Sequence, residues 1–185
     1  MNVWYSLSDI PGNEASVVTI GNFDGMHNGH KKVISTCIER AHKLGVDAVA
    51  ITFDPHPIQV HKPEVGLQLI SPLRDRLDAM AAAGLDATLV AHYDASVYSL
   101  EADEFVYEYL VERCGAREVV VGEDFRFGRG NAGTIDTLRE LGRRYGFNVI
   151  TVTDIEAPEG RRWSSSWVRE LLAAGDVSGA ARVLG

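Results

Sequence analysis

Apolar residues along the chain gather into short runs separated by longer amphipathic stretches. Five runs stand out: VVTI (17–20), DAVAITF (47–53), ATLVAHY (87–93), EVVVG (118–122) and NVITVT (148–153). They are rich in Val, Ile and Thr and nearly continuous rather than alternating, the pattern of strands covered on both faces. Helical periodicity fills the gaps. Val33, Ile34, Cys37, Ile38, Ala41 and Leu44 mark one face of a helix that ends at Gly45. Ser71-Pro72 predicts a second helix, with Ser71 as N-cap, Pro72 in the first turn and Gly84 as the stop. A third is expected near 101–114, before Gly115, a fourth from Thr134 towards Tyr145-Gly146, and a fifth after Ser164. Strands alternating with helices predict an α/β fold: a Rossmann-like open parallel sheet, helices on both faces, joined by right-handed crossovers. No repeat, low-complexity tract or linker breaks the pattern, and DIEAPEGRR (154–162) reads as a polar loop. A single domain over residues 1–185 is expected.

Composition narrows the function. The chain is 45% apolar and 24% charged, ordinary for a globular protein. No apolar run approaches the ~20 residues that span a bilayer, and MNVWYSLSDIPGNE lacks the basic start and apolar stretch of a secretory signal. Two cysteines, Cys37 and Cys114, with no Cys-x-x-Cys pair, fit a reducing, cytoplasmic setting. A net charge of −8 argues against broad nucleic-acid binding but leaves room for a small anion in a local basic pocket.

The candidate chemistry starts where the first run ends. GNFDGMHNGH (21–30) places three glycines, two histidines and an aspartate between a strand and a helix. Ligands of open α/β sheets bind at the carboxyl ends of strands. Glycines let the backbone approach a ligand closely, and a helix N-terminus attracts anions. His27 and His30, three apart, can share one side of the first turn and each donate to a phosphate oxygen. A metal site is weaker, because a structural zinc wants four Cys or His ligands and no thiol is near in sequence. A packed turn with incidental histidines is the plain alternative. No Gly-Lys-Ser/Thr follows, so this is not a Walker A loop.

Gly21, Phe23, Asp24, His27, Gly29 and His30 together resemble the His-x-Gly-His phosphate turn of the nucleotidyltransferase superfamily. The fuller TIGNFDGMHNGH is similar to bacterial FAD synthetases, in their FMN adenylyltransferase module. TFDPHP (52–57), VVGEDFRFGRGNAG (120–133) and RRWSSSWVRELLAAGDVSGAARVLG (161–185) resemble the same family in the same order, so the likeness covers nearly the whole chain.

The resemblance implies a nucleotidyltransferase-type fold and the reaction ATP + FMN → FAD + pyrophosphate, with Mg²⁺ accompanying ATP and no metal held by protein ligands alone. It implies that His27 and His30 stabilise the α-phosphate while Arg169 holds the leaving phosphates. It assigns ATP contacts to Gly21, Phe23, Asp24, Gly29, Asp124, Arg162, Ser165 and Ser166. It places Asp54, Pro55, His56, Pro57, Phe125 and Phe127 on the FMN side. The residues admit plainer readings: a proline-stiffened loop at 54–57, core aromatics at Phe125 and Phe127, a capped surface helix at SSSWVRE. If extended, 125–127 puts both phenyl rings on one side. GRGNAG (128–133) is formally Gly-x-Gly-x-x-Gly, but the six residues from Gly122 to Phe127 separate it from its strand, so it is no dinucleotide fingerprint. The chain departs from the family where Ser166 replaces a threonine and where Trp163 and Trp167 flank the serines. The expected partners are the small molecules FMN and ATP, not nucleic acid or membrane. Family members commonly carry a C-terminal riboflavin kinase module, expected to be absent from this chain. The rivals are a nucleotidyltransferase for another phosphorylated substrate and a non-catalytic flavin- or nucleotide-binding module.

Overall fold

The computed structural model of the chain describes residues 1–12, 14–153, 157 and 160–185. Among them six parallel strands form one sheet: β1 (Asn2–Trp4), β2 (Ser16–Ile20), β3 (Asp47–Asp54), β4 (Ala87–His92), β5 (Ala116–Gly122) and β6 (Asn148–Val152), in the order β1-β4-β3-β2-β5-β6. The chain steps from β2 outward through β3 and β4, then returns to the other side of β2 with β5. The order therefore reverses at β2 and β5, and the loops leaving their carboxyl ends diverge to open a crevice.

The helices are α1 (Asn28–Leu44), α2 (Pro57–His61), α3 (Leu73–Ala83), α4 (Ala95–Tyr98), α5 (Ala102–Phe105), α6 (Ile135–Tyr145), α7 (Ser165–Ala173) and α8 (Val177–Leu184), with a π-helical turn over Val106–Arg113 continuing α5. All five residues of β2 are buried, because each sheet face is covered. On one face Val18, Ile20, Ile51 and Leu89 pack with Phe105, Leu110 and Leu138. On the other Val17, Ala48, Ala50 and Val120 pack with Ile34, Cys37 and Met80 of α1 and α3. Arg40 of α1 grips buried Glu118 of β5 with two hydrogen bonds of 2.6 and 2.5 Å. A satellite cluster of Trp167, Val168, Ala180 and Val183 joins α7 to α8.

The five strands, and helices at four of the expected places, agree with the sequence pattern. Four details differ. Ser71 does not cap α3: the helix starts at Leu73 behind Pro72, with no side-chain cap, and the Ser71 hydroxyl instead accepts from the Gly25 amide at 3.0 Å. The 101–114 region is an α-helical turn followed by a π-helix rather than one α-helix. TFDPHP is more than a rigid turn, since His56 accepts from the Ile58 amide and caps α2. The short β1, α2, α4 and α8 were not expected. Of the 154–162 loop, residues 154–156, 158 and 159 lie outside the described residues.

Candidate active site

The turn from β2 into α1 builds the centre of the site. Phe23 (φ 51°) and Met26 (φ 44°) both adopt left-handed backbone, uncommon for side-chain-bearing residues. Gly25 between them has φ 80°, and a Cβ there would meet Ile70 at 2.9 Å, so only glycine fits. Burial of Phe23 and Met26 in the core holds this tight turn. His27 caps α1, its Nδ1 accepting from the His30 amide at 3.3 Å. That bond leaves the neutral ring's proton on Nε2, a donor. The His27 and His30 rings stack with centroids 3.7 Å apart and planes 23° apart. Lone pairs and N–H bonds lie in the ring plane, so stacked imidazoles aim side by side. This suits two oxygens of one phosphate better than convergence on one ion. Among the described residues, no three His, Cys, Asp or Glu side chains gather as a metal site.

Both histidines are held neutral. Burial, then the charge of Arg162, pushes His27 down to about 4 against an opposing pull from Asp24. Burial, then His27 and Arg162, holds His30 well below the usual range. The Nδ1 of His30 is buried without a partner.

Two cavities open beyond the carboxyl ends of the strands. The first, about 230 Å³, brings Gly21, Phe23, His27, Gly29 and His30 together with Asp124, Phe125 and Arg162. Asp124 and Arg162 pair at 2.7 Å, linking the loop after β5 to the segment before α7. The second, about 300 Å³, is aromatic: Phe53, Tyr93, Tyr98, Phe105, Phe125 and Phe127 line it, with Pro57. Phe125 and Phe127 stack at 5.5 Å, which places both rings on one side of the loop after β5. Ile20, Gly21 and Phe125 line both cavities, so the two adjoin at the end of β2.

Other expected residues stand apart from these walls. Asp24 is 1% exposed and lines neither cavity. Its carboxylate accepts from the amides of Ile70 and Ser71, each at 3.0 Å, and pairs with Arg169. Arg169 also donates to the Gln68 carbonyl at 2.8 Å, and the Ser165 hydroxyl donates to the Asp24 carbonyl at 2.8 Å. Ser164 caps α7, as expected, while Ser166 is exposed. Of the 54–57 turn only Pro57 lines the aromatic cavity; Asp54 and Pro55 are partly exposed, and His56 is buried with its pKa lowered chiefly by burial. Sequence reasoning missed Asn22, Tyr93 and Tyr98. Asn22 sits inside the recognised turn and Tyr93 just past β4, where the rule that ligands bind at strand ends could have found them. Trp163 lines the first cavity and stacks on Trp167 at 5.5 Å.

Known proteins resemble this chain over most of its length. The family model for FAD synthetase matches residues 9–167. A Geobacillus thermodenitrificans protein, provisionally named a bifunctional riboflavin kinase/FMN adenylyltransferase, is 38% identical over 95% of this chain and 91% of its own length. The Pseudomonas fluorescens protein named bifunctional riboflavin kinase/FMN adenylyltransferase is 37% identical over 95% of this chain, which spans 56% of that relative's length. Among solved structures, a Streptococcus pneumoniae protein described as a macrolide-efflux protein superposes with a TM-score of 0.85 at 27% identity, covering 100% of this chain and 61% of that one. Among the described residues of the present chain, no helix is long and apolar enough to cross a membrane. Pantoate-beta-alanine ligase from Francisella tularensis superposes at 0.60 with 13% identity, covering 96% and 76%, a likeness of fold alone. With its parallel sheet, its histidine turn and a family match over most of its length, the chain belongs to the FAD synthetase family.

Proposed function

We propose that the chain transfers the adenylyl group of ATP to FMN, releasing FAD and pyrophosphate. The carrying observation is the pair of adjoining cavities, one histidine-lined and one aromatic, that share Gly21 and Phe125. A reaction joining two nucleotides at their phosphates needs two pockets that meet where the phosphates meet. The aromatic cavity suits the isoalloxazine ring, and the histidine cavity suits the nucleotide.

In the proposed reaction an FMN phosphate oxygen forms a bond to the α-phosphorus of ATP as the bond to pyrophosphate breaks in line. Such transfers depend on positioning and charge stabilisation rather than on a protein nucleophile. His27 and His30 donate to the α-phosphate as its charge shifts. Arg162, Ser165, Ser166 and Arg169 receive the leaving phosphates, Arg169 by exchanging Asp24 for phosphate oxygens. Asp124 holds the ribose or adenine side. Gly29 keeps the turn open; a Cβ there would lie 3.1 Å from the His27 ring. With ATP supplied as its Mg²⁺ complex, the ion would contribute charge neutralisation of the departing pyrophosphate, alongside Arg162 and Arg169. Asp54, Pro55 and His56 border the FMN side behind Pro57. Residues 1–185 act as one adenylyltransferase domain in this reading. Its partners are small molecules, and buried free thiols at Cys37 and Cys114 fit a cytoplasmic setting.

The test is incubation with FMN, ATP and Mg²⁺, followed by chromatography and a pyrophosphate assay. FAD and pyrophosphate should appear in equal amounts. Flavin binding without either product would favour a non-catalytic module, and adenylylation of a different phosphorylated substrate would favour the rival transferase.

A further inference from the structure

Arg76 of α3 is a fully buried arginine, 2% exposed, that no step of the proposed reaction uses. A guanidinium in the interior is costly unless its charge and donors are met. Here they are met unevenly. Nη1 donates to the Asn22 carbonyl at 2.7 Å and approaches the Phe53 carbonyl at 3.4 Å. Nη2 lies 3.7 Å from the Asp54 carboxylate, whose side chain is 44% exposed, and Nε is buried without a partner. A buried cation so incompletely compensated is not explained by stability, because an apolar side chain of similar volume would serve the core better.

The position of its acceptors gives a reason. Asn22 follows the end of β2, Phe53 lies near the end of β3, and the Thr52 hydroxyl also donates to the Asn22 carbonyl, at 3.2 Å. Asn22 and Phe53 both line the aromatic cavity, and neither lines the histidine cavity. We propose that Arg76 is a positioning residue for the flavin substrate. Its planar fork spans two adjacent strand ends, fixes the gap between Asn22 and Phe53, and keeps a positive charge behind the wall they form. This assignment rests on adenylyl transfer to FMN for its substrate.

The experiment measures FMN affinity by quenching of flavin fluorescence, and kcat and KM for each substrate, in wild type, Arg76→Met and Arg76→Lys. Arg76→Met is expected to weaken FMN binding and raise its KM by about tenfold or more, with the KM for ATP within about twofold of wild type, as displacement of a positioned group does. Arg76→Lys, which restores the charge and one donor set, should recover part of the loss. Equal shifts for both substrates, or a folded variant with unchanged FMN affinity, would overturn the assignment. If Arg76→Met does not fold, Arg76→Lys carries the test by the same split between substrates. Wild-type protein that neither binds FMN nor makes FAD would instead overturn the reading of function beneath it.

Discussion

At the residue scale, burial keeps both histidines neutral, and in the proposed reaction they act as donors to the α-phosphate. His30 is stacked on His27 with its amide bonded to the His27 ring, so it contributes to the site mainly through its outward edge. His30→Ala is expected to lower kcat by about 10²-fold, the usual cost of losing one transition-state contact to a developing charge. Stability should change little, and steady-state kinetics on folded variant checks both. His27 also carries a pH signature. Its pKa falls from 6.5 to about 4 on folding. The unfolded chain therefore takes up the proton first as pH drops. Stability from a neutral His27 is fully present above about pH 6.5 and is lost as pH falls towards about 4. His27→Asn keeps a capping side chain without the titration. Denaturant midpoints should fall less between pH 7 and pH 5 in that variant than in wild type. Equal losses would remove His27 from the pH response. The His-x-x-His spacing made the pair legible in sequence. The N-cap role and the ring stacking were not, since they depend on the left-handed turn at Phe23 and Met26.

At the scale of elements, α7 is fastened to the histidine turn through Asp24. That buried carboxylate binds two amides of the 70–71 segment and the Arg169 guanidinium, while Ser165 reaches the Asp24 carbonyl. Asp24→Ala should cost about 3 kcal/mol by chemical denaturation, because it strands a half-buried guanidinium and two amides. A loss below about 1 kcal/mol, typical of exposed pairs, would show the contact to be incidental. These contacts join residues 46 to 145 positions apart, which explains why sequence reading missed them. Ser71 looked like a helix cap from its neighbours Pro72 and Leu73, and the turn at Gly25 claimed its hydroxyl instead. β1 escaped notice because its three residues are exposed or half-buried and form no apolar run. β2 to β5 were legible because burial on both faces demands near-continuous Val, Ile and Ala, and the edge strand β6, half-buried along most of its length, keeps the same Val- and Ile-rich run.

At the scale of the whole molecule, the strand order brings two cavities to one point. The individual motifs were readable one by one, and their likeness to a known family supplied the roles. Adjacency of the cavities follows from the reversal at β2 and β5, which local pattern does not encode. Phe125 belongs to both walls. Phe125→Ala should therefore raise KM for FMN and for ATP together, by several-fold to about tenfold, as loss of an aromatic contact of ~1 kcal/mol implies. An effect confined to one substrate would separate the pockets. The central claim concerns which phosphorus is attacked, and ATP radiolabelled at either the α- or the γ-phosphorus tests it directly. With FMN and Mg²⁺, label from the α-position should enter FAD while label from the γ-position leaves as pyrophosphate. Label from the γ-position appearing in the flavin, or no labelled flavin from folded protein, would contradict the account.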